Sequence, residues 1–335
     1  MKFRWVLFVV LAAVLMVALY RWAAEPLSLR GDEVAVEFAP GSGVSGITHA
    51  LMQAHVLHGR ADSWRFRLLA RLLGKGSSLQ AGYYTFHPGD TPLVVLDKLS
   101  HGQVTLRQVR FIEGWNFAEI RQAINDSPWL NHDSRDMSDA AIAQAIGLNT
   151  QNPEGWIYPD TYDVRVGSSD LALLKRASEL MQNRLSGAWQ GRAAGLPYHS
   201  PLDALIMASI IEKETAQPGE RAQVAEVFIN RLHQGMRLQT DPTVIYGMGS
   251  QFDGDLRKQD LLRDTPWNTY TRYGLPPTPI AMPGLPSIEA ALHPATGDKL
   301  YFVSRGNGTH VFSSNLVDHN RAVGQFQKNI PTVRK

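Results

Sequence analysis

The segment from Trp5 to Tyr20 is an uninterrupted apolar run, and it restricts how this chain can fold more than any other feature does. A helix of about 20 apolar residues crosses a bilayer core, and flanking residues can extend a slightly shorter run. Lys2 and Arg4 precede the run, while Arg21 and Trp22 follow it, and these residue types anchor a span at the membrane surface. Positive charge before the run predicts a cytoplasmic N-terminus, with the rest of the chain outside.

The alternative is a secretory signal peptide that is cleaved. No clean small-x-small cleavage site follows the run, although Ala23 and Ala24 are small residues. We therefore favour an uncleaved anchor and assign residues 1–24 to a cytoplasmic tip and a transmembrane helix.

Composition restricts what the rest of the chain can do. About three hundred residues remain after the anchor, which is enough for two domains with hydrophobic cores. The formal net charge is only +2, with no block of Lys or Arg, so a nucleic-acid partner is not expected. The chain has no cysteine, which excludes disulfides and catalytic thiols.

A small first unit is expected over residues 33–103. Val34 to Phe38 and Gly82 to Phe86 have the pattern of strands. Helices are expected from Val44 to His55, from Ser63 to Leu73 and from Leu93 to Leu99. Three glycines after the first strand also spell GxGxxG, but no long series of βαβ units follows, so dinucleotide binding is not supported.

The larger domain is expected over residues 104–335, with mixed α+β structure. A strand over 104–112 should open it, followed by helices near 117–124, 140–146 and 171–189. Near the end, Tyr301 to Val303 and His310 to Phe312 predict a hairpin that turns at Asn307 and Gly308.

Carboxylates interrupt an apolar helix in the central stretch from Leu202 to Gly249. Between Ala204 and Ile211 every residue except Ser209 is apolar, which is typical of a buried helix. Glu212 and Glu214 follow at its C-terminal end. Burial disfavours the charged form of a carboxylate, so either one would stay protonated near neutral pH and act as a general acid, as cleavage of a glycosidic bond requires.

Helical spacing does not choose between these two glutamates. Glu214 shares a face with Met207 and Ile210, and Glu212 shares one with Leu205 and Ala208. The simpler alternative for both is a solvated charge in the last turn of a surface helix, because a buried glutamate is rare unless it is paired.

Polar and aromatic side chains close in sequence have the composition of a sugar site. A dense hydrogen-bonding set follows the glutamates at Asn230, Arg231, Gln239, Thr240 and Asp241, with Tyr246 next to it. Upstream, Tyr158 and Asp160 lie in the run EGWIYPDTYDV, where rings can stack on sugars and acids can accept hydroxyl hydrogen bonds. The alternative for this run is that its aromatic residues close the core.

Two other chemistries lack support. There is no HExxH or comparable cluster, and His293, His310 and His319 are isolated in the sequence, so no metal or other cofactor is expected. Ser209 lies in no GxSxG elbow, so serine hydrolysis is not supported.

Long segments of the chain resemble the YceG-like endolytic murein transglycosylases. The matching runs are EKETA, VFINRL, GMRLQTDPTVIYGMG, GLPPTPI, AALHPA and YFVSRGNGTHVFS, in this order over nearly the whole chain. In that family the second glutamate of EKET is the catalytic acid, which falls on Glu214. The resemblance also implies a LysM-like module over residues 33–103 and a cleft wall at PDTY.

The resemblance implies a membrane-anchored lytic transglycosylase that cuts glycan strands internally at the MurNAc–GlcNAc bond and leaves 1,6-anhydro-MurNAc ends. The resulting hypothesis is an α+β catalytic domain with Glu214 as the acid. Substrate-binding residues are expected at Asn230, Gln239, Thr240, Asp241, Tyr246, Tyr158 and Asp160. A lysozyme-like muramidase with Glu212, Asp241 or Asp160 as second carboxylate is one alternative, and a non-catalytic glycan-binding scaffold is the other.

The expected location is the inner membrane, with a single pass, a cytoplasmic N-terminus and a periplasmic catalytic domain. Peptidoglycan strands and the inner membrane are then the expected partners, together with the peptidoglycan synthases (penicillin-binding proteins) that produce nascent strands.

Overall fold

The computed structural model describes residues 2–326, with side chains from Phe3 onward. The predicted end of the catalytic domain at residue 335 therefore lies outside the described residues. The chain divides into two compact units between Gln108 and Val109, and the short segment Asp163–Ser168 belongs with the first unit. That the two units are separate domains with the limits expected above stays a prediction.

The first unit contains one long helix, a small sheet and three shorter helices. Its elements are α1 (Lys2–Ala23), β1 (Val34–Phe38), α2 (Val44–Gln53), α3 (Gly59–Leu72), β2 (Gly82–Phe86) and α4 (Pro92–His101). β1 and β2 pair antiparallel, with Val34 opposite Phe86. Rings that are fully or almost fully buried, Phe38, Phe66 and Tyr84, fill the core, and the end of α1 contributes Ala23 to it.

Helix α1 is long and apolar enough to cross a membrane. It has 22 residues, so it is about 33 Å long at the usual rise, which matches a hydrocarbon core of about 30 Å. The most apolar 18-residue window within Phe3–Ala23 has a mean hydropathy of 2.4, and the protein covers none of that window. The predicted apolar run therefore lies within a longer helix that includes the flanking residues.

The second unit is mainly helical. Its helices are α5 (Phe117–Asn125), α6 (Asp139–Ala145), α7 (Asp170–Gln190), α8 (Pro201–Glu214), α9 (Arg221–His233), α10 (Asp241–Met248), α11 (Lys258–Leu262), α12 (Leu285–Leu292) and α13 (Leu316–Phe326). The second unit also contains β4 (Leu130–Asn131), β7 (Tyr301–Ser304) and β8 (His310–Ser313), while β3 (Leu106–Arg110), β5 (Thr161–Arg165) and β6 (Ser168–Ser169) are divided between the two units. Within the described residues they form the pairs β3–β5, β4–β6 and β7–β8.

Helix α8 lies at the centre of this unit. Ser200 and Asp203 form a capping box at its start, with Pro201 in the first turn, which satisfies backbone donors that the helix itself leaves free. Every residue from Ala204 to Ile211 is buried, and α7, α9, α10 and α12 pack around it. The all-round apolar pattern of this segment therefore correctly predicts a central helix.

The mixed α+β architecture with one N-terminal apolar helix is confirmed, while the LysM-like character of the first unit stays a prediction. Some predicted helix limits are wrong. Helix α2 ends at Gln53 rather than His55, because His55 has a φ of 57° and cannot continue a right-handed helix. Helix α3 begins at Gly59, four residues before the predicted start at Ser63.

Candidate active site

Glu214 is the last residue of α8 and lies where the buried helix reaches an open cleft. Residues Ala204 to Ile211 of this helix are in the core, but Glu214 itself is half-buried and its carboxyl lines the cleft. Thr215 has extended backbone angles, so the helix ends directly after the acid. The helix therefore presents this side chain at the boundary between the hydrophobic core and solvent.

Thr240 holds one oxygen of the Glu214 carboxyl. Its Oγ1 donates a 2.5 Å hydrogen bond to Oε2 of Glu214, and its side chain is almost fully buried. The Thr240 amide donates to Oγ1 of Thr269, and Oγ1 of Thr243 donates to the Thr240 carbonyl. None of the described hydrogen bonds reaches Oε1 of Glu214, so that oxygen is available to a ligand in the cleft.

Burial raises the pKa of Glu214 above its ordinary value of 4.5. The hydrogen bond from Thr240 opposes this shift because it stabilises the carboxylate. The negative charge of Asp241 adds to the rise, while the charges of His310 and Arg231 lower the pKa. Desolvation dominates, so the carboxyl favours its protonated form more than an exposed glutamate does.

The cleft in front of Glu214 has a volume of about 480 Å³ and lies within the second unit. It is lined by Glu214, Arg231, Leu238, Gln239, Thr240, Asp241, Tyr270, Tyr301, Phe302, Val303, Ser304, His310, Leu316, His319, Asn320 and Val323. The lining combines hydroxyl, amide and charged groups with aromatic rings. These are the group types that bind a sugar, because rings cover its C–H faces and polar groups bond its hydroxyls.

Two predicted substrate-binding residues, Gln239 and Asp241, line the cleft. Asp241 begins α10, and its Oδ1 accepts a 2.6 Å hydrogen bond from the hydroxyl of Tyr270. Gln239 is exposed and has a φ of 50°, a left-handed conformation that costs a residue with a side chain about 1–2 kcal/mol. Such strain is frequent at functional sites. The structure therefore brings Gln239, Thr240 and Asp241 together with Glu214.

Two basic side chains, Arg231 and His310, also face the cleft. The Arg231 side chain is buried. Its Nε donates to the Leu300 carbonyl and its Nη1 donates to the Leu238 carbonyl, both at 2.7 Å. Burial lowers the pKa of the Arg231 guanidinium. His310 is held by Glu220, which accepts from its ring Nδ1 at 2.8 Å and from its backbone amide at 3.0 Å. Positive charge is therefore available to a carboxylate at position 214.

Glu212 occupies a different environment from Glu214. Its Oε1 lies 3.5 Å from Nη2 of Arg221, and both side chains are largely buried. Its Oε2 accepts a 3.0 Å hydrogen bond from the amide of Gly284, at the start of α12. Glu212 does not line the cleft, so the geometry favours Glu214 as the acid where helical spacing alone left both possible.

Three other predicted substrate-binding residues lie outside the lining of this cleft. The amide nitrogen of Asn230 donates to the carbonyls of Gly297 and Lys299, which ties α9 to the segment before β7. The Tyr158 ring packs at the edge of the core, which agrees with the alternative that the aromatic residues of this run close the core. The Asp160 carboxylate accepts from the neighbouring amide of Thr161. Substrate contact by these three residues stays a prediction.

Tyr246, the last predicted residue, lines a second groove of about 600 Å³. The two cavities adjoin, because consecutive residues divide between them: Glu214 and Asp241 line the cleft, while Lys213 and Pro242 line the groove. The hydroxyl of Tyr246 donates to the buried Glu154 at 3.1 Å, and its ring meets the Trp267 ring edge-on.

Glu154 is a second carboxyl with a raised pKa, at the floor of this groove. Burial raises the pKa of Glu154 to about 7, although the Phe117 amide at the start of α5 and the Tyr246 hydroxyl both stabilise the charged form. Gly155 next to it has a φ of 80°, and a side chain there would collide with Pro279. This close approach explains the glycine in the EGW run, whose buried acid the sequence did not single out.

The fold and the site together define a mixed α+β protein in which a desolvated carboxyl lines an open polar cleft. The profile of the YceG-like family matches residues 36–325 of the chain. The chain belongs to this family.

Named relatives and a solved structure agree with this membership. The chain is 32% identical over 315 residues to a Bacillus subtilis (strain 168) protein named endolytic murein transglycosylase, covering 88% of this chain and 84% of that protein. It is 30% identical to the protein of the same name from Streptococcus pneumoniae (strain D39), covering 74% of this chain but only 51% of that longer protein. The crystal structure of a yceG-like protein from Listeria monocytogenes matches 87% of this chain and 99% of its own, with a TM-score of 0.54 and 28% identity.

Proposed function

We propose that this chain is an endolytic lytic transglycosylase that cleaves the MurNAc–GlcNAc bond of peptidoglycan. The observation that carries the proposal is the desolvated Glu214 carboxyl, which lines an open polar cleft in a chain of the YceG-like family. The names of the relatives agree with it. The activity needs no metal or cofactor, because an acid and the substrate's own hydroxyl supply the chemistry.

In the first half of the reaction Glu214 acts as the general acid. Thr240 donates to Oε2, so the proton resides on Oε1, the oxygen open to the cleft. This proton passes to the oxygen that joins MurNAc C1 to GlcNAc, and the C1–O bond breaks with its electron pair on the leaving oxygen. Positive charge then develops at C1 of MurNAc.

In the second half the same residue acts as a base. The carboxylate of Glu214 takes the proton of the MurNAc C6 hydroxyl while that oxygen bonds to C1, which closes the 1,6-anhydro ring and restores the acid. Thr240, Arg231 and His310 all stabilise the charged form of Glu214 between the two steps. The nucleophile belongs to the substrate, so its proximity replaces a second enzyme carboxylate.

The adjoining groove supports internal cleavage. A glycan strand that passes Glu214 enters the groove at Lys213 and Pro242, where the Tyr246 and Trp267 rings form an aromatic wall. Sugar units then lie on both sides of the broken bond. We assign Gln239, Thr240 and Asp241 to the cleft side and Tyr246 to the groove side of substrate binding.

Helix α1 supports a membrane-anchored enzyme. Its length matches a bilayer core, and the basic residues at its start support an orientation with a cytoplasmic N-terminus and a periplasmic catalytic unit. Anchoring raises the local concentration of the enzyme near nascent strands without adding any contact. Peptidoglycan synthases are therefore the protein partners we propose.

The hydrolase alternative has one specific observation in its favour. Of the three carboxylates considered as a second catalytic group, only Asp241 lines the cleft with Glu214, where Tyr270 holds it. A muramidase would use such a carboxylate to activate water.

Mass spectrometry of digested sacculi separates these possibilities. Digestion in ¹⁸O-labelled water by the purified full-length protein is expected to give fragments with 1,6-anhydro-MurNAc ends and no label. Labelled reducing ends would establish the muramidase, and an absence of fragments would establish a glycan-binding scaffold; either result overturns the proposal.

A further inference from the structure

Helix α3 of the first unit exposes an apolar stripe to solvent. Trp64, Leu68 and Leu72 are spaced four residues apart and share one face of the helix, and Leu73 follows directly. The exposed fractions of Trp64, Leu72 and Leu73 are 65%, 51% and 49%. We call these four residues the outer stripe.

The outer stripe is not the face that α3 uses for folding. Phe66, Leu69 and Ala70 are buried on the opposite side, where they pack into the core of the first unit. A surface helix of a soluble domain needs only one apolar face. The second one, which includes a tryptophan, is left uncovered by the rest of the described residues.

Arginines flank the outer stripe. Arg60, Arg67 and Arg71 run along one edge, and Arg65 lies on the other. Arg65 bonds to Asp62 at 3.1 Å, but no acidic side chain among residues 3–326 pairs with Arg60 or Arg71. Aromatic and leucine side chains bordered by arginines are typical of a helix that lies in a membrane surface, with its cations at the lipid phosphates.

The end of α1 is fixed beside this helix. The Arg65 guanidinium lies 5.9 Å from the ring centroid of Trp22, which is in the last turn of α1, and α1 packs against α3. Ala23 and Leu27 are buried in the core of the same unit. Where α1 leaves the hydrocarbon core, α3 therefore stands at the depth of the lipid headgroups.

We propose that α3 binds the outer surface of the bilayer, with the outer stripe among the headgroups and the arginines on lipid phosphates. The inference rests on the proposed membrane anchor but not on the catalytic activity. It assigns the first unit a membrane-docking role: the unit rests on the lipid surface instead of standing free above it.

The absence of cysteine from the chain permits a direct test. The full-length protein with Trp64→Cys carries a fluorophore at that single thiol and is reconstituted in phosphatidylethanolamine–phosphatidylglycerol vesicles. Lipids with a nitroxide near the headgroup are expected to quench it, and aqueous iodide is not. Leu72→Cys repeats the measurement on the stripe, and Gln53→Cys, at the exposed end of α2, provides a reference outside it.

A charge variant tests the arginines. The double variant Arg60→Gln with Arg71→Gln is expected to reduce the docked-to-undocked ratio at position 64 by about fivefold for each arginine. The control is Lys175→Gln with Lys258→Gln, which removes the same charge from exposed sites elsewhere. This control should leave the ratio unchanged.

Two outcomes overturn the proposal. One is quenching at position 64 by iodide equal to that at position 53. The other is protection from iodide without quenching by lipid, which would show that a protein covers the stripe. Resistance of the chain to alkaline extraction from the vesicles reports on the anchor separately, so failure of the anchor is distinguishable from failure of docking.

Discussion

Thr240→Val tests how the structure tunes the acid. Valine has nearly the shape of threonine, and the side chain is almost fully buried, so the substitution removes the hydroxyl while preserving the packing. What is lost is the 2.5 Å hydrogen bond to Oε2 of Glu214. That bond stabilises the carboxylate and lowers the pKa of Glu214 against the effect of burial.

The size of the effect follows from this single bond. A hydrogen bond to a charged group contributes about 1.5–3 kcal/mol, and its loss should raise the pKa of Glu214 further, because the bond opposes the effect of burial. The acid then holds its proton more tightly, and the carboxylate that must deprotonate the C6 hydroxyl is less stable. We expect turnover at neutral pH to fall by about 10–100-fold.

The assay is the release of anhydro-ended fragments from purified sacculi, measured from pH 4 to pH 9. Activity should disappear as Glu214 loses its proton, and in the valine variant this loss should move to higher pH. Thr240→Ser keeps the hydroxyl and should retain the wild-type profile. A valine variant with wild-type turnover and pH profile, or a serine variant as impaired as valine, would refute the assigned role of the hydroxyl.

Other residues around the site give separate expectations. Glu212→Gln breaks the largely buried ion pair with Arg221 and should lower the free energy of unfolding by about 3 kcal/mol in denaturant titrations. The folded variant should still form anhydro ends. Loss of that activity without loss of stability would contradict this expectation. Gln239→Gly relieves the left-handed backbone and should not lower the melting temperature, yet it should reduce turnover as much as Gln239→Ala; unchanged turnover in both would show that the amide does not bind glycan. Burial raises the pKa of Glu154 from 4.5 to about 7, so the folded protein binds this proton more tightly than the unfolded chain does. The free energy of unfolding should therefore fall by about 3 kcal/mol as the pH rises from 4.5 to 7. Glu154→Gln should remove that decline, and an identical decline in the variant would contradict the expectation.

Local patterns in the sequence predict much of the fold. The all-apolar run in α8 is buried as expected, and the alternating strands of the first unit pair around aromatic residues. Helix α10 was not expected, although Pro242 in its first turn is a known start signal. Limits set by one backbone angle, such as the end of α2 near His55, leave no trace in hydrophobic periodicity.

Only the part of the site that is contiguous in the sequence could be predicted. Gln239, Thr240 and Asp241 are consecutive, so composition alone marked them as a polar set. By contrast, Glu220 meets His310 across 90 residues, and only tertiary structure brings such partners together. The same holds for Glu212, whose pairing partner Arg221 and backbone donor Gly284 lie on other segments, so spacing could not show that it is a structural carboxylate.

Glu214 is the catalytic acid in the proposed mechanism. The most direct test is the yield of 1,6-anhydro-MurNAc ends from sacculi treated with Glu214→Gln, because glutamine preserves the shape of the side chain and removes the transferable proton. We expect Glu214→Gln to give a folded protein, with the circular-dichroism spectrum of the wild type, that binds glycan but releases no anhydro ends, whereas Glu212→Gln still releases them. Anhydro ends from Glu214→Gln at the wild-type rate, together with their loss in a folded Glu212→Gln protein, would contradict it.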